Sequence, residues 1–298
     1  MTIRYEKTKF GKRGEKRVGH VVIATSVNEI CEAAVAATKS HPKPYDKPMS
    51  ERPDMGREFE NLEEAAAAAT QPWDDGIKLV SEMMIELRKE IKMPKPVSLK
   101  RQKVWSDEDG DEIDFDRLRA GEPFYRTTKK QNAIKTKQVT LFVDIGAAAH
   151  VNSKDILWRG IAVIALSKIL EDAGYRVELW TMEAAMGAFE SGKGLATLTR
   201  LKGMKDRLNI GTIASCVSAW YFRSVGFNLY NLFQKENHDY GLGYPLHKNL
   251  EPIMDLVEPD AEKRLVVKDI WSREECGKFV KDVINRLNSE ADAKLVGA

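Results

Sequence analysis

Cysteine is scarce, with only Cys31, Cys216 and Cys276 among 298 residues, far apart and without a CxxC. An odd, scattered set excludes a disulfide framework and a zinc ribbon, which need paired spacings, and predicts three buried, reduced thiols. Long hydrophobic runs are missing as well. The most apolar stretch, Gly160 to Ser167, is bracketed by Arg159 and Lys168, well short of the roughly 18 residues that a membrane span requires. The apolar triplet Val21-Val22-Ile23 is too short for a secretory leader. Neither sign of charge dominates: 47 Lys+Arg against 45 Asp+Glu leave +2, so the overall balance calls for neither nucleic acid nor a membrane surface. No Walker loop, GxSxG or HExxH occurs, which removes the common motif-bearing enzymes. What remains is an ordinary globular composition, 43 % apolar and 31 % charged, long enough for one large domain or two small ones.

The first twenty residues carry Arg4, Lys7, Lys9, Lys12, Arg13, Lys16 and Arg17 against Glu6 and Glu15, and read as a mobile arm or an exposed edge. A short strand over 18–24 and a small helix from Ser26 or Asn28 to about His41 follow. Prolines 42, 44, 48 and 53 then hold 41–53 extended, as a linker. Asn61 with Glu64 three residues on starts a helix that Pro72 stops, and Asp74 or Asp75 opens a second, with Ile77, Val80, Met84, Leu87 and Ile91 on one stripe. From Trp105 to Glu122 eight acids face two arginines, and Arg126 to Lys137 then holds five cations and no acid. Asp109-Gly110 suits a tight turn, so 104–125 reads as a hairpin with Ile113 and Phe115 facing inward, and the basic run as a solvated connector.

Val139 to Ile145 is a continuous apolar run, the pattern of a strand buried on both faces. Ser153 is expected to cap a helix that Gly174 ends, Tyr175–Thr181 gives a second, parallel strand, and Ala196–Leu201 a third. Residues 209–234 read as helical, 235–248 as a polar loop, 265–267 as a strand, and Ser272 with Glu275 as the capping box of a last helix, frayed after Asn288. The predicted fold is α/β: a three-layer sandwich on a mainly parallel sheet, with an N-terminal helical extension and a β-hairpin. The expected divisions are 1–58 (arm, short helix and linker), 59–97 (helical pair), 98–137 (acidic hairpin and basic connector), 138–290 (α/β core) and 291–298 (tail).

The loop after the first core strand, Asp144 to His150, lies where open α/β sheets bind ligands. As a methyl-donor or nucleotide loop it keeps only Gly146, with Ala148 and His150 where further glycines belong, and its next strand acid, Glu178, comes 34 residues on instead of about 20. As a metal site of the von Willebrand factor A type it needs hydroxyls two and four residues after Asp144; Gly146 and Ala148 stand there, and Ser153 is the nearest hydroxyl. In the third reading Asp144 caps the loop and His150 bonds backbone. Asp107 to Glu112 places its glycine fourth instead of sixth, against an EF-hand, and the nine-residue gap between His238 and His247 fits no zinc spacing. No metal or cofactor is called for. Asp144, Gly146, His150 and Ser153 are retained as a ligand or partner loop, and Lys9, Lys12, Arg13, Lys16, Arg17, Lys129, Lys130, Lys135 and Lys137 as the residues that would grip phosphates.

The run Glu112-Ile-Asp-Phe-Asp-Arg-Leu-Arg-Ala-Gly-Glu-Pro123, with 139–180, 271–287, the helix from Asn61 and Trp73-Asp-Asp-Gly76, resembles a family of bacteriophage and prophage proteins of unassigned function, over roughly 57–290. The resemblance implies phage origin, a Rossmann-like or degenerate A-domain-like core, and residence in the virion or the host cytoplasm. It supplies no catalytic residues. The expectation that follows is a non-enzymatic phage protein that binds a macromolecule, a protein first, through loops 144–153, 182–195 and 235–248. The alternatives are a nucleic-acid-binding accessory protein using 4–17 and 126–137, and an enzyme at the Asp144–His150 loop.

Overall fold

The computed structural model describes residues 3–10, 17–40, 55–90, 101–106, 112–130, 137–148, 150–187, 194–229, 240–245 and 249–296. Its main sheet has seven strands: β1 (Arg4–Phe10), β2 (Arg17–Ala24), β6 (Gln138–Asp144), β7 (Arg176–Gly187), β8 (Gly194–Lys202), β9 (Tyr240–Pro245) and β10 (Arg264–Val267). The order is β1-β2-β8-β7-β6-β10, with β9 added to β7. The pairs β2–β8, β6–β7 and β6–β10 are parallel; β1–β2, β7–β8 and β7–β9 are antiparallel. The fold is α/β.

The apolar run of β6 is explained by burial on both faces. Val139, Leu141 and Val143 join a core with Val177 and Leu179 of β7, while Phe142 lies on the opposite face with Trp180, Met182 and Ala184. The first face is covered by helices α1 (Val27–Ser40), α2 (Leu62–Ala69), α3 (Asp74–Glu90), α5 (Ser153–Asp172), α6 (Ile210–Cys216) and α10 (Arg273–Val296). The second is closed by Leu250, Ile253 and Met254, at the single turn α9 (Glu251–Met254). Arg4 of β1 ties this cover down by donating to Leu256 O at 2.8 Å.

Most helix signals act as expected. Asn61 accepts from Glu64 N, and Gly174 ends α5 with φ 89°. Asn152, not Ser153, caps α5: it accepts from Asp155 N at 2.8 Å, and Ser153 is the first helical residue. Where α5 passes the end of α6, Gly160 is required by contact, since a Cβ there would lie 2.1 Å from Val217 Cγ2. Capping of α10 is as predicted, with Glu275 N donating to Ser272 Oγ at 3.2 Å, and the helix runs past Asn288 to Val296.

Several expectations need correction. Of the two readings of the basic N-terminal segment the edge holds and the free arm does not: Arg4–Phe10 pairs with β2 as the outer strand of the sheet. Segments 17–40 and 55–84 share one hydrophobic core with 139–284, so the boundaries at 58 and 97 do not separate cores. The 104–125 hairpin is a three-stranded sheet: β3 (Arg101–Ser106), β4 (Glu112–Ile113) and β5 (Tyr125–Lys130), in the order β3-β5-β4. Ile113 and Phe115 face out instead of in. Asp114 caps the short helix α4 (Phe115–Arg119) by accepting from Asp116 N and Arg117 N, and so ends strand alternation at Ile113. The first part of the basic run is β5, not a connector.

The helical stretch expected at 209–234 breaks at Ser218, which caps a new turn α7 (Ala219–Tyr221). A π-helical segment (Phe222–Gly226) and the turn α8 (Phe227–Leu229) follow. The loop expected at 235–248 includes strand β9. The proline linker 41–53, the acidic turn 107–111, and His238 and His247 lie outside the described residues.

Candidate functional site

The loop at the end of β6 is held from inside by two arginines. Asp144 is fully buried and accepts from Gly146 N at 3.0 Å, as an aspartate does when it closes a turn on its own backbone. Arg159, one and a half turns into α5 and equally buried, donates from Nη1 to Asp144 O at 2.5 Å and Gly146 O at 2.9 Å. The same Nη1 stands 4.0 Å from Asp144 Oδ1. The Arg159 guanidinium lies over the Trp271 ring at 4.4 Å. Burial lowers its pKa, and the carboxylates of Asp144 and Asp269 act against that shift. Arg223, from the π-helical segment, donates from Nη2 to Ala148 O at 3.2 Å and Val151 O at 2.5 Å. Four loop carbonyls are therefore committed to two buried cations.

Of the residues expected to form the loop site, Asp144 and Gly146 are buried in this brace, His150 is exposed beyond it, and Ser153 lies in the first turn of α5. His150 and Asp144 thus face different environments, which removes the physical basis for a general-base couple. The phosphate-gripping candidates are dispersed. Lys9 is exposed on β1, Arg17 begins β2, and Lys129 and Lys130 end β5. Lys137 stacks on the Tyr175 ring at 5.5 Å and donates to its hydroxyl at 3.4 Å. Lys12, Arg13, Lys16 and Lys135 lie outside the described residues.

A second buried polar group had no counterpart in the sequence reading. Glu183 of β7 is buried beside Thr181, Thr197 and Thr199, below Tyr221 and the π-helical segment. Gly226 makes the room: a Cβ there would lie 2.8 Å from Glu183 Oε2. Asn228 continues the polar seam, donating to Ser224 O at 2.8 Å and accepting from Thr38 Oγ1 at 3.1 Å. Burial pushes the Tyr221 hydroxyl well up, so this seam stays protonated at Tyr221 through neutral pH. Arg159 and Arg223 carried a usable signal, each being a single charge inside an otherwise apolar stretch. Glu183, within Thr181 to Ala185, carried a weaker one.

The family model described as a domain of unknown function (DUF7192) matches residues 20–291. The chain belongs to this family. No curated protein and no solved structure matches it. The DUF7192 match begins inside β2 and ends inside α10, so it takes in nearly all of the main sheet and both braced segments.

Among the described residues of this DUF7192 chain, no three His, Cys, Asp or Glu side chains come together to hold a metal, and no helix is long and apolar enough to cross a membrane. A groove of about 420 Å³ runs between α1 and α2, floored by Cys31, Val35, Ala36, Ala66 and Ala67, with the Lys39–Glu63 ion pair of 3.3 Å beside it. All three cysteines are buried and free. Burial pushes Cys31 and Cys276 up to about 12, and Cys216 well up. The native thiols are therefore expected to stay unreactive toward an aromatic disulfide reagent at pH 8 and all to react in denaturant; rapid native labelling overturns the burial. Because the native thiols hold their protons above the ordinary 9.0, stability is expected to fall as pH rises from about 9 to about 12, where only the unfolded chain ionises them.

Proposed function

We propose that this chain is a non-enzymatic bacteriophage protein that binds another protein, as a virion component or as an accessory factor in the host cytoplasm. The observation that carries the reading is the exposure of three large apolar side chains close together in sequence beside the small sheet: Ile113, Phe115 and Leu118, respectively 46 %, 65 % and 43 % exposed. Three large apolar side chains within six residues, on a unit this small, are the mark of a surface completed by a partner. The sheet-end loop supports the non-enzymatic part, since its carbonyls are bound by Arg159 and Arg223 instead of facing a substrate. In the same reading the core is a degenerate, A-domain-like three-layer sandwich. What favours that is the β6–α5–β7 unit with parallel strands, both sheet faces covered, and Gly146 and Ala148 at the positions where a hard-cation site needs hydroxyls.

A photo-crosslinking residue placed at Phe115, in cells that carry the chain natively, tests the reading. One predominant protein adduct, unaffected by a chelator and lost when Leu118→Asp is added, is expected. Adducts confined to the chain itself, or an adduct abolished by the chelator, overturn it.

A further inference from the structure

We propose that the groove between α1 and α2 is a docking site for a basic amphipathic helix of a partner protein. It shares no residue with the surface at Ile113, Phe115 and Leu118, and goes beyond that contact. Short side chains build it. Along α1 the lining runs from Asn28 to Lys39, and along α2 from Glu63 to Thr70, each in steps of three and four that keep to one helix face. Ala36 and Ala67 are exposed, with Cys31 and Ala66 buried beside them. A lysine or glutamate at such exposed helical positions would cost nothing in packing and little in propensity. Alanine on both helices instead leaves about 420 Å³ open between them.

The shape suits a helix. Asn28 and Lys39 both lie on α1, about 16 Å apart along its axis, and a visiting helix of three turns covers the same length. Alanine lets that helix approach to the roughly 8–10 Å of ordinary helix packing. Its apolar side chains, spaced i, i+4 and i+7, then fill the trough, as in other helix-in-groove complexes. A small apolar ligand would leave much of so long and open a trough in water.

The rim sets the charge of the occupant. Lys39, in the last turn of α1, meets Glu63, in the first turn of α2, at 3.3 Å, and the pair neutralises that end. Glu32 lies about 10 Å back along α1. It is exposed, and has no ionic partner among the described residues. The groove therefore offers an apolar floor and one uncompensated carboxylate. A lysine or arginine flanking the apolar stripe of the visiting helix pairs with Glu32, whereas an acid there is repelled.

The test is fluorescence anisotropy of a labelled, hydrocarbon-stapled helix of about 15 residues, titrated with the full chain; the staple is needed because helices this short are marginal in water. The peptide carries leucines at i, i+4, i+7 and i+11 with lysines beside them, and its control has glutamate for every lysine. The lysine peptide should bind more tightly by on the order of 10-fold at low salt, the effect of exchanging an attractive exposed pair for a repulsive one. Glu32→Lys should reverse that preference. Ala36→Trp, which fills the groove from an exposed position, should abolish binding of both peptides without lowering thermal stability. A lysine peptide that does not saturate, equal binding of the two peptides, or binding indifferent to Ala36→Trp overturns the proposal. So does uptake of octylamine without either peptide, which makes the groove a small-ligand site, or a dimer that Ala36→Trp dissolves, which makes it a contact between copies.

Discussion

Arg159→Met lowers the free energy of unfolding by about 3–5 kcal/mol, the cost expected when one partner of a buried charge network is removed. Nη1 of Arg159 serves Asp144 O and Gly146 O, and stands near the Asp144 carboxylate. Methionine keeps the stem's volume, so the loss isolates the charge and its hydrogen bonds from a cavity effect. It leaves the buried Asp144 carboxylate without the guanidinium that stands 4.0 Å from it. Arg159→Lys recovers only part of the stability, because an ammonium on a shorter reach does not reproduce the flat stack on Trp271 at 4.4 Å. Urea unfolding followed by far-UV circular dichroism measures both variants, and a loss below about 1 kcal/mol for the methionine variant would show that the loop does not depend on the guanidinium.

Trp220→Ala is expected to cost a similar 3–5 kcal/mol, for a different reason. Trp220 is buried where three separate segments meet: its ring lies 5.1 Å from that of Phe59 and 6.4 Å from that of Trp73, with the Arg57 guanidinium 5.6 Å above it. Phe59 and Trp73 flank α2, so the indole fastens the N-terminal helices to the core. Its removal should both lower global stability and make 55–73 more sensitive to limited proteolysis than in the wild-type chain. Trp220→Phe retains a ring and should recover about half of the loss. A destabilised Trp220→Ala chain whose cleavage pattern matches the wild type would assign the indole to the core alone.

How much of this was legible before the structure depends on which physical signal each part left in the chain. β6, α2 and α10 were readable because their burial or capping is local: an apolar run, Asn61 with Glu64, Ser272 with Glu275. The direction of β8 was readable in principle. Six residues separate Gly187 from Gly194, too few for a parallel crossover of a dozen or more, so the strands had to run antiparallel. Ending β7 at Thr181 and starting β8 at Ala196 lengthened the apparent gap and hid that constraint. β1 was legible only as one of two options, an arm or an exposed edge, since Arg4 to Phe10 holds four charges, a threonine and two aromatics with no apolar face and is held by pairing to β2. At the candidate site, the sequence pointed to Asp144 and Gly146 but not to what occupies them. Arg159 reads as the polar boundary of an apolar helix until α5 is seen to carry it under the loop.

The parallel pairing of β2 with β8 has a consequence for the chain during its synthesis. His20 pairs with Leu195 and Ala24 with Thr199, so the strand emerging first waits for a partner about 175 residues behind it. At roughly 5–20 residues per second, that delay is on the order of 10–35 s. Throughout it, Val21, Val22 and Ile23 lack the neighbour that later covers their open edge. β1 can fold back on β2 at once and leave one edge shielded, while the other stays available to any extended chain nearby. Nascent chains of this protein should therefore engage ribosome-associated chaperones early, and should release them only once β8 has cleared the exit tunnel.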